Sequence, residues 1–238
     1  MKQIHWMCQT SEDLPPHNDW LSASEYQHFS SLRFEKRRAD WRLGRWTAKN
    51  SVASYLGMVP TAAALAQIQI SNTSDGVPQA NYSGPWDDCN ISISHCHGRA
   101  LCAVAGNACD IGCDLEWIEP RHPAFLADYF TVAEQAVVSS ASDDQRDCLC
   151  TALWSAKESA LKTLGTGLSR DTRELEIVEI ATPARSRWQS LLVALTPERS
   201  SLQGWWCRHH NFVFTVVARG VAGAPLQLCT DTLYGHSI

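Results

Sequence analysis

The chain carries the stretch WSAKESALK at residues 154–162 and, earlier in the sequence, GCDLE at residues 112–116. We expect the first stretch on a helix and the second on a strand. Residues two apart on a strand face the same side, so Asp114 and Glu116 should project together. Glu158 and Lys162 are four apart and share one helix face. Three acids with interleaved cations are suited to holding a divalent metal and a phosphate ester at once.

Each stretch alone also has a plain structural interpretation. The alternation in residues 112–116 is typical of an amphipathic strand with one solvated face. Glu158 with Lys162 is equally typical of a surface ion pair, worth a few tenths of a kcal/mol. These alternatives stay open for either stretch taken by itself.

Composition limits the classes of function that the chain can have. It has 238 residues and a net charge of -5, and its pI is about 6.0. This balance argues against bulk attraction to nucleic acid or anionic membranes, and any anion site must be a local basic patch. The N-terminus lacks an apolar signal core, and no run reaches membrane-spanning length. Ten cysteines, mostly in apolar segments and without a standard zinc spacing, predict reduced thiols in a cytoplasmic protein.

Patterning predicts a mixture of helices and strands without regular βαβ alternation, which indicates an α+β fold. Capping boxes at Ser22 and Thr131 predict two helix starts, and longer helices are predicted over 34–56 and 146–164. Strands are predicted over 4–8, 67–71, 90–95, 99–105, 110–116, 174–180, 191–195, 204–208 and 212–218, with loops over 72–86 and 139–147. No sequence repeat is detected. Gly106-Asn107 marks the expected boundary between an N-terminal half, 1–107, and a C-terminal half, 108–238.

Together the two stretches resemble the signature motifs of the Sfp-type 4'-phosphopantetheinyl transferases, G-x-D-x-E and W-[ST]-x-K-E-[AS]-x-x-K. The segment NISISH at 90–95 resembles the strand end that precedes the first motif in that family. The segment GTGL at 165–168 resembles the glycine turn that follows the second. The resemblance covers roughly residues 34–168 and the final strand pair.

The resemblance implies two similar α+β halves in a pseudo-twofold relation, with the ligand site between them, and a monomer. It implies transfer of 4'-phosphopantetheine from coenzyme A to a serine of an apo acyl or peptidyl carrier protein, releasing adenosine 3',5'-bisphosphate. Magnesium would be held by Asp114, Glu116 and Glu158. Lys157 would contact the phosphates, with Lys162 as a second candidate. Glu158, directly or through a metal-bound water, would take the serine proton.

The helix predicted over 34–56 carries a row of basic residues at helical spacing, Arg38, Arg42, Arg45 and Lys49. An apolar stripe borders this row, as it would in a cleft wall; the alternative is a solvent flank with snorkelling arginines. The segment also resembles the arginine-rich helix of the family, which helps to bind coenzyme A. Arginine suits that role because its planar fork donates paired hydrogen bonds to phosphate.

The resemblance assigns the nucleotide half of coenzyme A to Arg38, Arg45, Gly76, Ser94 and His95. The loop DGVP at 75–78 resembles a Gly-Lys-Pro turn of the family, but Val77 stands where the lysine is expected. Carrier recognition is expected, by analogy alone, in the segment 122–136. Two rival functions remain: a magnesium-dependent hydrolase of nucleotide pyrophosphates, and a non-catalytic protein that binds nucleotide or carrier. The chain has no expected nucleic-acid or membrane partner.

Overall fold

A computed structural model describes residues 3–181, 188–220 and 223–228. The first part of the chain forms three helices and five strands. The helices are α1 (Ala23–Ser31), α2 (Glu35–Tyr55) and α3 (Ala62–Gln67), and the strands are β1 (His5–Thr10), β2 (Gln69–Asn72), β3 (Pro78–Asn81), β4 (Cys89–Cys96) and β5 (Arg99–Gly106).

Among its described residues, the second part likewise has three α-helices and five strands, followed by a last short strand. The helices are α4 (Pro123–Tyr129), α5 (Val132–Ser140) and α6 (Asp143–Leu164). The strands are β6 (Ile111–Trp117), β7 (Leu175–Ile180), β8 (Gln189–Leu195), β9 (Ser200–His209), β10 (Phe212–Ala218) and β11 (Leu226–Gln227).

The strands form two sheets with the same internal order. The first sheet runs β11-β1-β5-β4-β3-β2 and the second runs β6-β10-β9-β8-β7. Leaving β11 aside, each sheet begins with the first strand of its part, continues with the last, and then returns through the others in reverse. The predicted α+β fold with two similar halves is confirmed by this arrangement.

The two sheets meet through β4 and β6. The backbone N–H of Cys113 donates to the hydroxyl oxygen of Ser92 at 2.9 Å, and apolar residues of β5, β6 and β10, among them Leu101, Leu115 and Val216, form a shared core. On the other face of the second sheet, α6 packs directly on β6. At Gly112 a Cβ atom would lie 1.9 Å from the backbone oxygen of Ser159, so this strand position admits only glycine.

Local signals located the helix starts well. Ser22 and Thr131 each form a capping box with the glutamate three residues later, as predicted, and the helix predicted over 34–56 is α2 (Glu35–Tyr55). The loop predicted over 72–86 is wrong at β3 (Pro78–Asn81), which is polar but pairs with β2. The turn predicted over 139–147 is wrong as well, because α6 already begins at Asp143 after the N-cap Ser142. The helices α3 and α4 were missed.

The chain passes from the first sheet to the second between Gly106 and Ile111. It returns at its end, since β11 pairs in parallel with β1. The division at residue 107 stays a prediction. Among the described helices, none combines the length and the apolar character needed to cross a membrane.

Candidate active site

Asp114 lies at the junction of the two halves and is 4% exposed. Its Oδ1 accepts hydrogen bonds from Ser94 Oγ of β4 and from Lys162 Nζ of α6, each at 2.8 Å. Its Oδ2 accepts one from Ser155 Oγ, also at 2.8 Å. Both motifs and the end of β4 therefore converge on the Asp114 carboxylate. Its orientation is fixed by three hydrogen-bond donors.

A network of buried hydroxyl groups from α6 and β10 holds the hydroxyl of Ser155 that bonds this carboxylate. Ser155 Oγ lies 2.8 Å from Thr215 Oγ1 of β10, which in turn lies 2.7 Å from Ser159 Oγ. All three side chains are fully buried. Buried hydroxyls that bond one another and the backbone hold a fixed rotamer, so Ser155 presents its proton to Asp114 in one orientation.

Glu116 is the second acid on the same strand face, and it is partly exposed at the end of β6. Its carboxylate accepts a hydrogen bond from Arg121 Nη2 at 3.1 Å. Burial, followed by repulsion from Asp114 and Glu158, raises the pKa of Glu116 to about 7 against the opposing charge of Arg121. Asp114 and Glu158 therefore lie close enough to Glu116 to disfavour its charge.

Glu158 faces the two strand acids from α6. Burial raises the pKa of Glu158, the charge of Asp114 raises it further, and Lys162 opposes both. Burial lowers the pKa of Lys162, but the neighbouring anions, Asp114 first, outweigh it and leave that pKa above its usual value. Lys162 thus remains a cation within an acidic group, and its Nζ also donates to the carbonyl oxygen of Cys113 at 2.9 Å.

Lys157 lies outside this group, which corrects the predicted phosphate contact. Its side chain is 0% exposed and its Nζ pairs with Glu134 Oε2 at 2.8 Å. Two further hydrogen bonds run to the carbonyl oxygens of Thr172 at 2.8 Å and Leu175 at 2.6 Å. An ammonium has three donors. All three are used inside the protein, so Lys157 has none to offer to a ligand.

Ser94 and His95 lie at the end of β4, beside the acids. The Ser94 hydroxyl donates a hydrogen bond to Asp114, whereas the side chain of His95 is exposed. His95 is therefore the one of the two that is open to an incoming ligand in this conformation.

The basic row on α2 packs against the chain that precedes it, which corrects its interpretation as a cleft wall. Arg42 donates to Asn18 Oδ1 at 2.7 Å and to backbone carbonyls of the same loop, among them Pro15, and Lys49 is buried with Glu25. Arg38 donates to the carbonyl oxygen of Leu32 at 2.9 Å.

Arg45 completes this row. Its guanidinium lies 5.0 Å from the centre of the Trp41 ring. In the described residues, no hydrogen bond or ion pair joins Arg38 or Arg45 to the acids.

The loop that carries Gly76 connects β2 and β3 and lies against the glycine turn that follows the second motif. Gly76 has φ +83°, and its N–H donates to the carbonyl oxygen of Thr73 at 3.0 Å. Gly165, the left-handed cap of α6, is close enough to Val77 that a Cβ there would lie 3.6 Å from the valine methyl. Val77, at the position where the resemblance expects a lysine, therefore lies close to Gly165 of the other half.

The carboxylates fit a hard divalent cation by donor chemistry. Oxygen ligands from one or two acids, completed by water and phosphate, are what magnesium prefers, and mutual repulsion among these acids would be relieved by a cation. One lone-pair site of Asp114 Oδ2 is left after its bond to Ser155. Across the described part of the chain, however, no group of three or more His, Cys, Asp and Glu side chains is already arranged around a common metal position. The side chains of Glu116 and Glu158 would have to reorient.

A cavity of about 1010 Å³ lies elsewhere, between the turn joining β9 to β10 and the first turns of α6. None of the three acids lines it. We assign the candidate site to the acids, because their charges, partners and mutual repulsion are specific, and not to this larger opening.

Two contributors to the site were missed from the sequence. Ser155 occupies the second position of the W-[ST] motif, whose hydroxyl requirement was a usable signal. Arg121 lies beyond β6, bonding Glu116 and pairing with Glu119 at 3.1 Å; a single arginine in a loop gives no periodic signal.

Comparison with known proteins gives matches that include the part of the chain holding these acids. Residues 110–217 match the model of the 4'-phosphopantetheinyl transferase superfamily. The chain is 28% identical over 163 residues to the 4'-phosphopantetheinyl transferase HetI of Nostoc sp. (strain PCC 7120), a match that covers 68% of this chain and 65% of that protein. It is 36% identical over 76 residues to a holo-[acyl-carrier-protein] synthase of Streptococcus suis, covering 32% of this chain and 62% of the relative.

Both matches thus span less than two thirds of the curated relatives. A solved holo-(acyl-carrier-protein) synthase from Bacillus anthracis in complex with CoA superimposes with a TM-score of 0.38 at 20% identity, over 44% of this chain and 94% of that one. An overlap this partial adds nothing to the assignment. The match to the 4'-phosphopantetheinyl transferase superfamily model, over residues 110–217, includes both motifs and all three acids.

Proposed function

We propose that this protein transfers the 4'-phosphopantetheine group of coenzyme A to a serine hydroxyl of an apo carrier protein. The observation that carries the proposal is the convergence of both family motifs on Asp114, with Glu116 and Glu158 beside it. The names of the relatives, one a 4'-phosphopantetheinyl transferase and one a holo-[acyl-carrier-protein] synthase, support it.

In this reaction the serine oxygen forms a bond to the phosphorus next to pantetheine. The bond from that phosphorus to the bridging oxygen breaks, and adenosine 3',5'-bisphosphate leaves. The serine proton goes to Glu158, directly or through a metal-bound water, which is the role that the resemblance implies for this carboxylate. Lys162, held protonated by Asp114, supplies positive charge where the phosphates lie.

We propose that magnesium is held by Asp114, Glu116 and Glu158. When bound, this ion would supply positive charge that neutralises the charge developing on the leaving group. The crowding of the acids supports this assignment, since repulsion from Asp114 and Glu158 adds to burial in raising the pKa of Glu116 to about 7. Magnesium titration by calorimetry into wild type and into Glu116→Gln tests it, and equal affinity in the two would contradict it.

For the nucleotide half of coenzyme A we keep His95, Ser94, Gly76, Arg38 and Arg45 as proposed contacts. Exposed His95 is the strongest of these, because it lies next to the residue that holds Asp114. Ser94, Arg38 and Arg45 already make internal contacts and would have to exchange them. We also propose a cytoplasmic monomer without nucleic-acid or membrane partner; light scattering of the purified chain tests its oligomeric state.

The deciding experiment incubates the protein with coenzyme A, magnesium and a panel of apo carriers drawn from fatty acid, polyketide and nonribosomal peptide synthesis. Mass spectrometry should show that one or more carriers gain the mass of phosphopantetheine. Cleavage of coenzyme A without carrier modification would favour the hydrolase of nucleotide pyrophosphates. Binding without either product would favour the non-catalytic protein.

A further inference from the structure

The first half contains a second copy of the motif framework. Residues 46–51 read WTAKNS and residues 154–159 read WSAKES, and the two segments lie on α2 and α6, the long helices of the two halves. This is a repeat that the sequence pattern alone did not reveal, because the remaining positions of the helices differ. Asn50 stands in the first copy where Glu158 stands in the second.

The lysines of the two copies are buried in the same way. Lys49 and Lys157 are both 0% exposed, and each pairs with a buried glutamate, Glu25 and Glu134 respectively. Each lysine also donates to two backbone carbonyl oxygens, at 3.0 Å for both bonds of Lys49 and at 2.8 and 2.6 Å for Lys157.

The glutamates are equivalent as well. Glu25 and Glu134 are the third residues of the capping boxes that start α1 and α5. The free oxygen of each accepts a backbone N–H from a strand, that of Ile70 at 3.0 Å and that of Ile177 at 2.9 Å. A single buried ion pair thus ties the long helix, the capped helix and the strand pairing of each half together.

The first copy shows which contacts the lysine makes when no glutamate follows it in the motif. Lys49 has no acid beside it in the motif, only Asn50, yet it makes the full set of contacts. The buried lysine therefore belongs to the framework of the half and does not depend on a ligand. In the second copy the same contacts fix the position of Lys157, which directly precedes Glu158.

We propose, given the function proposed above, that Lys157 is a positioning residue. Its pair with Glu134 fixes the rotation and height of α6, so that Glu158 faces Asp114 across the site. It does not touch the phosphates. Glu134, distant in sequence and absent from both motifs, belongs to the site by the same mechanism.

The test compares Lys157→Met, Glu134→Gln and the double variant with Lys49→Met as the matched control. Each single change in the second half should lower kcat by about 100-fold, the typical cost of a small misplacement of a catalytic group. The Kd for adenosine 3',5'-bisphosphate should change less than about threefold, since no phosphate contact is lost. The double variant should have a kcat close to that of the single variants, because all three break the same ion pair.

The control separates positioning from general stability. Lys49→Met should lose a similar amount of stability but retain kcat when assayed well below its melting temperature. A drop in kcat as large as that of Lys157→Met would overturn the proposal. So would a loss of nucleotide affinity of about tenfold or more in Lys157→Met that Glu134→Gln does not share, because that result means a direct phosphate contact.

Hydrogen exchange gives a readout that is independent of activity. Amides of residues 153–162 should exchange faster in Lys157→Met and in Glu134→Gln than in wild type, and should be unchanged in Lys49→Met. If the wild type proves inactive on every carrier, the proposed transfer is wrong. Hydrogen exchange still tests, in that case, whether the Lys157–Glu134 ion pair holds α6 in place. Unchanged exchange in both second-half variants would refute the positioning role of the Lys157–Glu134 ion pair even if transfer is observed.

Discussion

Ser94 of β4 donates its hydroxyl to Oδ1 of Asp114 on β6 at 2.8 Å, a bond from one half of the molecule to the central acid of the other. Resemblance to the family had assigned Ser94 to coenzyme A. In this structure the Ser94 hydroxyl orients the Asp114 carboxylate, whereas the side chain of the neighbouring His95 is exposed.

Removal of this bond should weaken both fold and activity. We expect Ser94→Ala to lower the free energy of unfolding by about 1.5–3 kcal/mol, the usual value for a hydrogen bond to a charged group. Urea denaturation measures this. Ser30→Ala, which removes an exposed hydroxyl bonded to the carbonyl oxygen of Tyr26, should stay within about 0.5 kcal/mol of wild type. Equal effects of the two changes would contradict the role of Ser94.

Asp114→Ala should abolish transfer, but the structure adds that it will not leave the fold untouched. It removes the partner of the partly buried Lys162, which should cost about 2–3 kcal/mol after allowance for the exposure of the lysine. The double variant Asp114→Asn with Lys162→Met should recover most of this stability without recovering transfer. Urea denaturation and carrier mass spectrometry measure the two effects; full activity of Asp114→Ala would refute the site.

Glu116 gives the protein a pH-dependent stability. Its pKa is raised to about 7 in the folded state, above an unfolded value of about 4.3. The folded state therefore binds more protons between these values, and stability falls as the pH rises through this window.

Glu116→Gln removes this penalty. We expect it to be about 1–2 kcal/mol more stable than wild type at pH 8, the figure being reduced for the partial exposure of the side chain. At pH 4 the difference should vanish. Urea denaturation at the two pH values tests this, and a difference that does not depend on pH would show that the pKa is unshifted.

Gly112 should resist substitution for a steric reason. A Cβ there would lie 1.9 Å from the oxygen of Ser159 and 2.6 Å from the backbone nitrogen of Thr163, so Gly112→Ala must push α6 off β6. We expect a loss of about 3 kcal/mol by thermal or urea unfolding. Gly76→Ala is the control: it meets open space and carries only the left-handed backbone at φ +83°, which costs about 1–2 kcal/mol.

The sequence predicted the elements whose signals are local. The capping boxes at Ser22 and Thr131 located the starts of α1 and α5, because an N-cap hydroxyl and a glutamate three residues later act within one turn. The strand geometry of Asp114 and Glu116 also followed from adjacent residues. The placement of β3 did not, since its polar side chains carry no pattern and it forms only by pairing with β2.

Lys157 shows why the rest of the site could not be predicted. Within the motif it looks like a cation beside an acid, and its sequence neighbours do not reveal that Glu134, Thr172 and Leu175 surround it in the fold. The interpretation of the basic row on α2 as a cleft wall was wrong for the same reason. Helical spacing showed that these residues share a face, but the loop at 15–18 that covers part of that face has no sequence pattern that would predict its position. Burial depends on distant parts of the chain, and spacing cannot report it.

The paired lysines also bear on how the motif is used to recognise other chains. A search for W-x-A-K followed by a hydroxyl residue two places on would find two hits in this protein, of which only one adjoins an acid. If the two proposals above hold, the lysine marks the architecture and the glutamate after it marks the chemistry. A homologue that kept the lysine but carried asparagine at the position of Glu158 should fold and be catalytically silent.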